Sequence, residues 1–248
     1  MPLTREQLLA EMGITPLWRL REGTAATIGA APEPPPQVAV APAPAGVEPG
    51  PGGPVDAARA TAIGGLDWDG LRRSVAACRA CALCQQRKQA VLGVGDLQPD
   101  WLFIGEGPGA EEDVQGEPFV GQAGKLLDNM LAALGLRRGD KVYIGNAVKC
   151  RPPGNRTPET AEMAACWPYL QRQVELLQPK IMVLLGRAAV HAVLKNDHSL
   201  ASLRGKAFDY RGTPVVVTYH PAYLLRNLPE KAKAWEDLLH ARRLLTGG

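Results

Sequence analysis

The sequence predicts an α/β fold of three layers, in which helices cover both faces of a central, mostly parallel sheet of four strands. Short apolar runs typical of buried strands occupy 101–104, 142–144, 181–185 and 214–219. Longer segments with apolar residues at helical spacing separate these runs, among them 121–134 and 158–177. Strands that alternate with helices form parallel sheets that are buried on both faces, which is the basis of the prediction.

Polar residues follow three of the predicted strands. Glu106 comes directly after the first strand, Asn146 after the second and His220 after the fourth. Because the carboxyl ends of parallel strands meet at one edge of a sheet, and ligands bind beyond that edge, we expect these side chains to line one pocket.

The composition divides the chain into three parts. Residues 1–23 predict a short helical docking peptide, since Leu8, Leu9 and Met12 form an apolar stripe too small to bury itself. Residues 24–65 are rich in proline, alanine and glycine and predict a disordered linker. Residues 66–248 carry all the predicted strands and form the folded domain.

Charge and apolar content exclude several classes of protein. The net charge of +3 is usual for a solvated surface and favours nucleic acid only weakly. No apolar run approaches the length of a membrane span, and the charged N-terminus lacks the apolar core of a secretory signal. We therefore expect a cytoplasmic protein without membrane contact, and a monomer, although no feature of the sequence fixes the oligomeric state.

Four of the five cysteines have the spacing of metal ligands. Cys78 and Cys81 form a C-x2-C pair, and Cys150 and Cys166 form a second pair further along the chain. Four thiolates suit a tetrahedral zinc or an iron–sulfur cluster, and the spacing does not choose between them. Buried unligated thiols are the alternative. Cys84 is interpreted as a spare core thiol.

Four motifs appear in order along the folded domain: Gly105–Gly109, Glu117–Gly121, Asn146–Pro153 and His220–Arg226. Together with the cysteine spacing, they resemble the motifs of the family 4 uracil-DNA glycosylases, the iron–sulfur branch of that superfamily. The resemblance runs from about residue 78 to 245. It implies the uracil-DNA glycosylase fold, a 66–248 catalytic domain, and one 4Fe-4S cluster on Cys78, Cys81, Cys150 and Cys166.

The implied activity is hydrolysis of the N-glycosidic bond of uracil in DNA, which leaves an abasic site for base excision repair. Phe119 is expected to stack on the extruded base, and Asn146 to read its edge through one donor and one acceptor. His220 is expected to donate a hydrogen bond to uracil O2 as the base leaves as an anion. Gly107 is expected to line the base pocket, where the family 1 enzymes have an aspartate.

The group that positions the hydrolytic water is left open between Glu106 and Glu112, with Asn155 as a partner that orients Glu112. The alternative is that residues 111–113 are only a solvated acidic turn. For DNA, Leu225 is expected to act as a wedge and Arg226 to bind a phosphate, with Lys149 and Arg151 as further contacts. Phosphate contacts are also expected from other basic residues: Arg156, Arg187, Arg204 and Lys206.

Two other functions remain open at this point. The domain could be a non-catalytic DNA- or replisome-binding module on the same fold, or a glycosylase for another deaminated base such as hypoxanthine. Residues 12–21 also resemble the N-terminal peptide of the psi subunit of the bacterial DNA polymerase III clamp loader. That resemblance implies a replisome or clamp-loader partner bound through residues 4–21, and hence association with the nucleoid.

Overall fold

The structure is a computed structural model that describes residues 57–247. The predicted docking peptide at 1–23 and most of the predicted linker lie outside the described residues. Within 57–247, no helix is both long and apolar enough to span a membrane.

A six-stranded sheet forms the centre of the domain, in the order β1-β3-β2-β4-β6-β5. Its strands are β1 Val94–Gly95, β2 Trp101–Gly105, β3 Val142–Asn146, β4 Ile181–Leu185, β5 Ala207–Tyr210 and β6 Thr213–Thr218. Strands β3, β2, β4 and β6 pair in parallel, whereas β1 and β5 pair antiparallel at the two edges. The predicted α/β class is confirmed. The predicted count of four strands is wrong, because it missed both edge strands.

Nine α-helices surround the sheet within the described residues. They are α1 Ala57–Gly64, α2 Trp68–Ala77, α3 Ala110–Gln115, α4 Gln122–Ala133, α5 Thr160–Leu177, α6 Arg187–Leu194, α7 Leu200–Leu203, α8 Pro221–Arg226 and α9 Glu230–Thr246. Two short 3-10 helices occur at Ala82–Gln85 and Pro153–Asn155.

Side chains that alternate along β2 bury themselves on opposite faces of the sheet, as the pleat of a strand requires. Phe103 packs in a core cluster with residues of α4 and α9, including Leu127 and Leu238. Ile104 packs in a second cluster on the other face with residues of α5 and α6, including Leu170 and Val190. The sheet is therefore the middle of three layers.

Helix α1 lies within the range 24–65 that the composition predicts to be linker. Ile63 of this helix is buried and packs with Leu71, Val75 and residues of α5. The linker prediction is wrong for these eight residues. Besides the packing of Ile63, Arg59 of α1 donates to the Ala165 carbonyl of α5 at 2.9 Å and lies over the Tyr169 ring, and these contacts attach the helix to the main domain.

Candidate active site

A cleft of about 740 Å³ opens at the carboxyl ends of the parallel strands. Its walls include the residues that follow β2, β3, β4 and β6, as expected from the topology. The lining residues used below are Glu106, Gly107, Glu112, Phe119, Asn146, Asn155, Arg187, Tyr219, His220, Tyr223 and Arg226.

Three predicted base-binding residues meet at one wall of this cleft. The rings of Phe119 and His220 are stacked with centroids 5.4 Å apart. A Cβ atom at Gly105 would lie 2.5 Å from Asn146 Oδ1 and 2.5 Å from Phe119 Cζ. Only glycine at this strand end therefore allows the amide and the phenyl ring to approach each other.

The Asn146 side chain is positioned by its strand and has an unsatisfied atom. Asn146 is the last residue of β3 and pairs in register with Gly105 of β2. It is buried, and its Oδ1 has no hydrogen-bond partner among the described residues. A buried acceptor without a partner is costly, so this oxygen is available to a ligand that brings an N–H donor.

His220 caps helix α8 with its ring. Its Nδ1 accepts a hydrogen bond from the backbone N–H of Ala222 at 3.2 Å. That bond requires an unprotonated Nδ1 and leaves the proton of the neutral ring on Nε2. Burial, assisted by the charge of Arg226, lowers the pKa of His220 to about 4, and Glu112 opposes this shift. The ring is therefore neutral near pH 7 and donates through Nε2.

Glu106 and Gly107 follow β2 directly in the cleft wall. Burial raises the pKa of Glu106, and a hydrogen bond with Thr157 opposes that effect. A Cβ atom at Gly107 would lie 2.8 Å from the Val148 side chain, so the loop after β2 runs tightly beside the segment after β3. Backbone bonds between the two segments, such as Val148 N–H to the Glu106 carbonyl at 3.1 Å, hold them together.

Glu112 has a different environment from the predicted one. Its carboxylate accepts the backbone N–H groups of Gly109, Val120 and Gly121 at 3.0–3.1 Å. It thereby ties the loop after β2 to the loop that carries Phe119. Asn155 accepts a hydrogen bond from Arg151 Nε at 2.7 Å and makes none with Glu112 among the described residues. The expectation that Asn155 orients Glu112 is therefore wrong, because both side chains are engaged elsewhere.

Helix α8 contributes Tyr223 and Arg226 to the cleft lining, and exposed leucines outside that lining lie on α8 and after it. Leu225 is 41% exposed and Leu228 is 61% exposed. Tyr223 stacks on Tyr219 with ring centroids 5.0 Å apart, and Arg226 is exposed at the cleft. Leu225 and Arg226 are both exposed, as the predicted contact with DNA requires. The sequence assigned no role to Leu228 or to the cleft-lining Tyr219 and Tyr223, although a leucine directly before Pro229 was a signal for a loop residue at 228.

Lys149 does not face the surface, which contradicts its predicted contact with DNA. Its side chain is 1% exposed, and its Nζ donates to the Asn146 carbonyl at 2.7 Å. Burial lowers the pKa of Lys149 to about 8, although Cys166 and Cys150 oppose the shift. A lysine in a polar motif is ordinarily exposed, whereas this one lies among residues of several segments, including Val75, Arg87 and Cys166.

Two of the other predicted phosphate contacts are also engaged within the protein. Arg156 makes a double hydrogen bond to the carboxylate of Glu162, and Arg204 makes one to Asp237. Each arginine fork is therefore occupied by a carboxylate. Arg187 is exposed in the cleft wall, and Lys206 is exposed outside it.

The predicted ligand cysteines surround a second, small cavity. Its lining contains Cys78, Cys81, Cys84, Cys150 and Cys166. Among residues 57–247, no three His, Cys, Asp or Glu side chains are arranged to hold a single metal ion.

Basic groups and N–H donors face the sulfurs of this cavity. Arg87 Nη1 lies 2.8 Å from Cys150 Sγ, Arg59 Nη2 3.6 Å from Cys78 Sγ, and the Lys149 backbone N–H donates to Cys166 Sγ at 3.3 Å. Burial raises the pKa of Cys166 to about 12 in the free thiol form. Positive charge and donors around buried sulfur fit a group that carries net negative charge, as a thiolate-bound cluster does.

Comparison with known proteins gives one consistent result. Residues 92–239 match the uracil DNA glycosylase superfamily. The type-4 uracil-DNA glycosylase of Thermotoga maritima is 47% identical over 172 residues, which are 68% of this chain and 89% of the relative. The type-4 enzyme of Sulfurisphaera tokodaii is 43% identical over 70% of this chain and 83% of its own. The type-5 uracil-DNA glycosylase of Thermus thermophilus is 29% identical over 62% of this chain and 87% of its own.

Proposed function

Since the chain belongs to the uracil-DNA glycosylase superfamily, and within it to the type-4 enzymes, we propose that it hydrolyses the N-glycosidic bond of uracil in DNA and leaves an abasic site for repair. The observation that carries this proposal is the meeting of Phe119, Asn146 and His220 in one cleft. An aromatic face, an amide and an imidazole are the groups that a flipped pyrimidine needs for stacking, edge recognition and loss of the base.

Base selection follows from the Asn146 amide. Its oxygen, which lacks a partner, accepts uracil N3–H, and its NH2 group donates to uracil O4. Cytosine has an acceptor at N3 and donors at N4, so in the same position it would leave both pairs of polar groups unmatched. Sites of this kind discriminate by orders of magnitude, because the unmatched groups are buried.

Departure of the base as an anion needs a donor at uracil O2. The Nε2–H of His220 supplies that donor, since Nδ1 is occupied by the Ala222 amide. The lowered pKa keeps the ring neutral, so that the hydrogen bond strengthens as negative charge develops on O2. The adjacent Phe119 ring supports the same base by stacking and offsets part of the cost of extrusion.

For the hydrolytic water we propose Glu106 as the positioning group. Glu112 already accepts three backbone N–H groups, which favours a structural role for it. Glu106 is in the cleft wall with a raised pKa, and no carboxylate–arginine pair holds it among the described residues. A carboxylate so located can accept a hydrogen bond from water and stabilise positive charge on the sugar.

The DNA strand on either side of the uracil is proposed to bind across the exposed residues of α8 and the loop after it. Leu225 and Leu228 fill the space left by the extruded base, and Arg226 binds a flanking phosphate. Arg187 lines the cleft on α6, and Arg151 lies just before the 3-10 helix that carries Asn155; both are proposed to add phosphate contacts. The binding should therefore weaken with salt.

We propose that Cys78, Cys81, Cys150 and Cys166 hold one 4Fe-4S cluster. The buried sulfurs and the basic residues around them support a thiolate-bound group of net negative charge at this site, and the family resemblance favours the cluster over a single zinc ion. Bound there, the cluster would link Cys78 and Cys81, which follow α2, to Cys150 in the segment after β3 and to Cys166 on α5. Asn146 is the last residue of β3 and directly precedes the segment that carries Cys150. We propose that the cluster fixes the shape of the base pocket through this link.

A partner for residues 4–21 is proposed from sequence resemblance alone: a clamp-loader or other replisome protein, which would bring the enzyme to the nucleoid. Retention of a purified clamp loader by the full chain, but not by a chain that begins at residue 57, would support it. Equal retention by both would exclude it.

The activity is tested with oligonucleotides that carry one uracil, hypoxanthine, thymine or cytosine. Hypoxanthine is included because its N1–H and O6 present the same donor and acceptor pattern to Asn146 as uracil N3–H and O4. We expect alkali-labile abasic sites from uracil, with much slower reaction of the other three. A chain that leaves uracil in place, while a control glycosylase removes it, would refute the proposal.

A further inference from the structure

Arg138 binds the backbone of the loop that carries Phe119, from outside the cleft. It follows α4, and its guanidinium makes three hydrogen bonds. Nη1 donates to the Pro118 carbonyl at 2.8 Å, Nη2 to the Phe119 carbonyl at 2.5 Å, and Nε to Asp128 at 2.5 Å. Its side chain is 25% exposed, and it is not among the residues that line the cleft.

The Phe119 backbone requires such support. Its φ is +56°, in the left-handed region that aromatic residues rarely adopt. Conformations of this kind persist only where surrounding groups hold them. Helix α4 contributes by close approach, because a Cβ atom at Gly124 would lie 1.7 Å from the Phe119 carbonyl oxygen.

Opposite charges hold the two sides of this loop. The carbonyls of Pro118 and Phe119 accept hydrogen bonds from the Arg138 cation. The next two amides, of Val120 and Gly121, donate to the Glu112 carboxylate. Hydrogen bonds to charged groups are the stronger class, so the orientation of Phe119 is fixed on both sides of the residue.

We propose that Arg138 is a positioning residue for base stacking: it holds Phe119 in its left-handed conformation, with its ring against His220, before DNA binds. This rests on the proposed function, in which Phe119 stacks on the extruded uracil. Arg138 itself touches neither the base nor the cleft. Its effect on catalysis therefore passes through Phe119 and has to disappear when the Phe119 ring is removed.

The chain offers a matched control in the neighbouring residue. Arg137 pairs with Asp140 at the surface, and its side chain is 82% exposed. Loss of Arg137 removes the same charge one residue away without touching the loop. The test compares R138A, R137A, F119A and the double variant F119A/R138A in single-turnover uracil release and in binding of uracil-free DNA.

We expect R138A to slow uracil release by about 10- to 100-fold, as small misplacements of a positioning group do, and R137A to change it by less than about twofold. In the F119A background, R138A should add less than about twofold, because the two residues act as one unit. Binding of uracil-free DNA should be unchanged by R138A, since the affected interaction forms only with an extruded base.

Two results would overturn the inference: R138A as active as R137A, or an equally large loss from R138A in the F119A background. If R138A does not fold, R138K replaces it in the same cycle. Lysine keeps the charge but lacks the planar fork, so R138K should also lose activity only when Phe119 is present. A wild-type chain without activity would instead refute the proposed function, so the two failures are distinguishable.

Discussion

The imidazole of His220 lies against the phenyl ring of Phe119, with centroids 5.4 Å apart and planes 29° apart. The two residues are about a hundred positions apart in the sequence, and one follows β6 whereas the other precedes α4. Their contact puts the ring proposed to stack on the base beside the imidazole proposed to donate to the departing base. Asn146 completes the arrangement from the end of β3.

Replacement of Asn146 by aspartate should change which base is accepted. An ionised aspartate has acceptors only, so N146D can accept from cytosine N4–H but can no longer donate to uracil O4. We expect uracil release to fall by at least about 100-fold and the preference for uracil over cytosine to shrink or reverse. Parallel assays on the two substrates measure it. An N146D variant that retains the wild-type preference would show that Asn146 does not read the base.

Stability should depend on the titration of His220. The folded-state pKa of this residue is about 4, below its usual value of 6.5. Between these values the unfolded chain binds a proton that the folded protein does not. The free energy of unfolding therefore falls as pH drops through this window, by up to about 1.4 kcal/mol per pH unit, and the contribution is complete above it.

Urea unfolding of wild type and H220N, at pH values above and inside this window, isolates that contribution. The wild type should lose more stability than H220N as the pH is lowered. H198N provides the control, because His198 is exposed at the surface, and it should follow the wild type. Parallel pH dependence of the wild type and H220N would contradict a buried neutral imidazole.

Substitution of a proposed cluster ligand should remove iron and activity together. C166S should lose the visible absorbance and the bound iron. Its rate of uracil release should fall, because without the cluster Cys150 no longer attaches the segment after β3 to the rest of the site. C84S is the matched control and should keep both, although Cys84 lines the same cavity. Iron content by mass spectrometry and the absorbance spectrum measure the outcome. Iron lost from C84S but retained by C166S would reverse the ligand assignment.

The wedge role of Leu225 should appear only where a base has to leave a duplex. L225A should slow uracil release from double-stranded DNA by about 10-fold or more, and from single-stranded DNA much less. V114A is the control: Val114 is also exposed, at 55%, but belongs to α3 and not to α8. Equal losses of L225A on both substrates would assign Leu225 to general DNA binding instead.

The centre of the fold was predictable from the sequence because buried parallel strands are continuous apolar runs. Strand β4 has the predicted bounds, Ile181–Leu185, and each of its residues is buried. The edge strands escaped prediction for different reasons. Strand β1 has only two residues, Val94–Gly95. Strand β5, Ala207–Tyr210, is half-exposed and mixed in composition, so its pairing with β6 depends on the turn between them.

Within the site, residue types and their positions at strand ends predicted which side chains meet. They did not predict which charged side chains already bind other groups of the protein. Lys149 and Arg204 are basic residues of the kind that bind phosphate, yet Lys149 is buried and Arg204 is paired with Asp237. Glu112 looked like a free acidic group, but backbone amides occupy its carboxylate. Asp237 is 33 residues from Arg204, and local patterns do not encode such a partner. The amides that bind Glu112 lie only 3 to 9 residues away, and the contact with Gly109 is part of a helix cap that the local sequence could have indicated.

The most direct test of the central claim is a crystal structure of the protein soaked with uracil. We predict one uracil ring stacked on Phe119, with N3–H and O4 about 3 Å from the Asn146 amide and O2 about 3 Å from His220 Nε2. Uracil bound elsewhere in the cleft, or stacked on Phe119 with the Asn146 amide and His220 beyond hydrogen-bond distance, would contradict it.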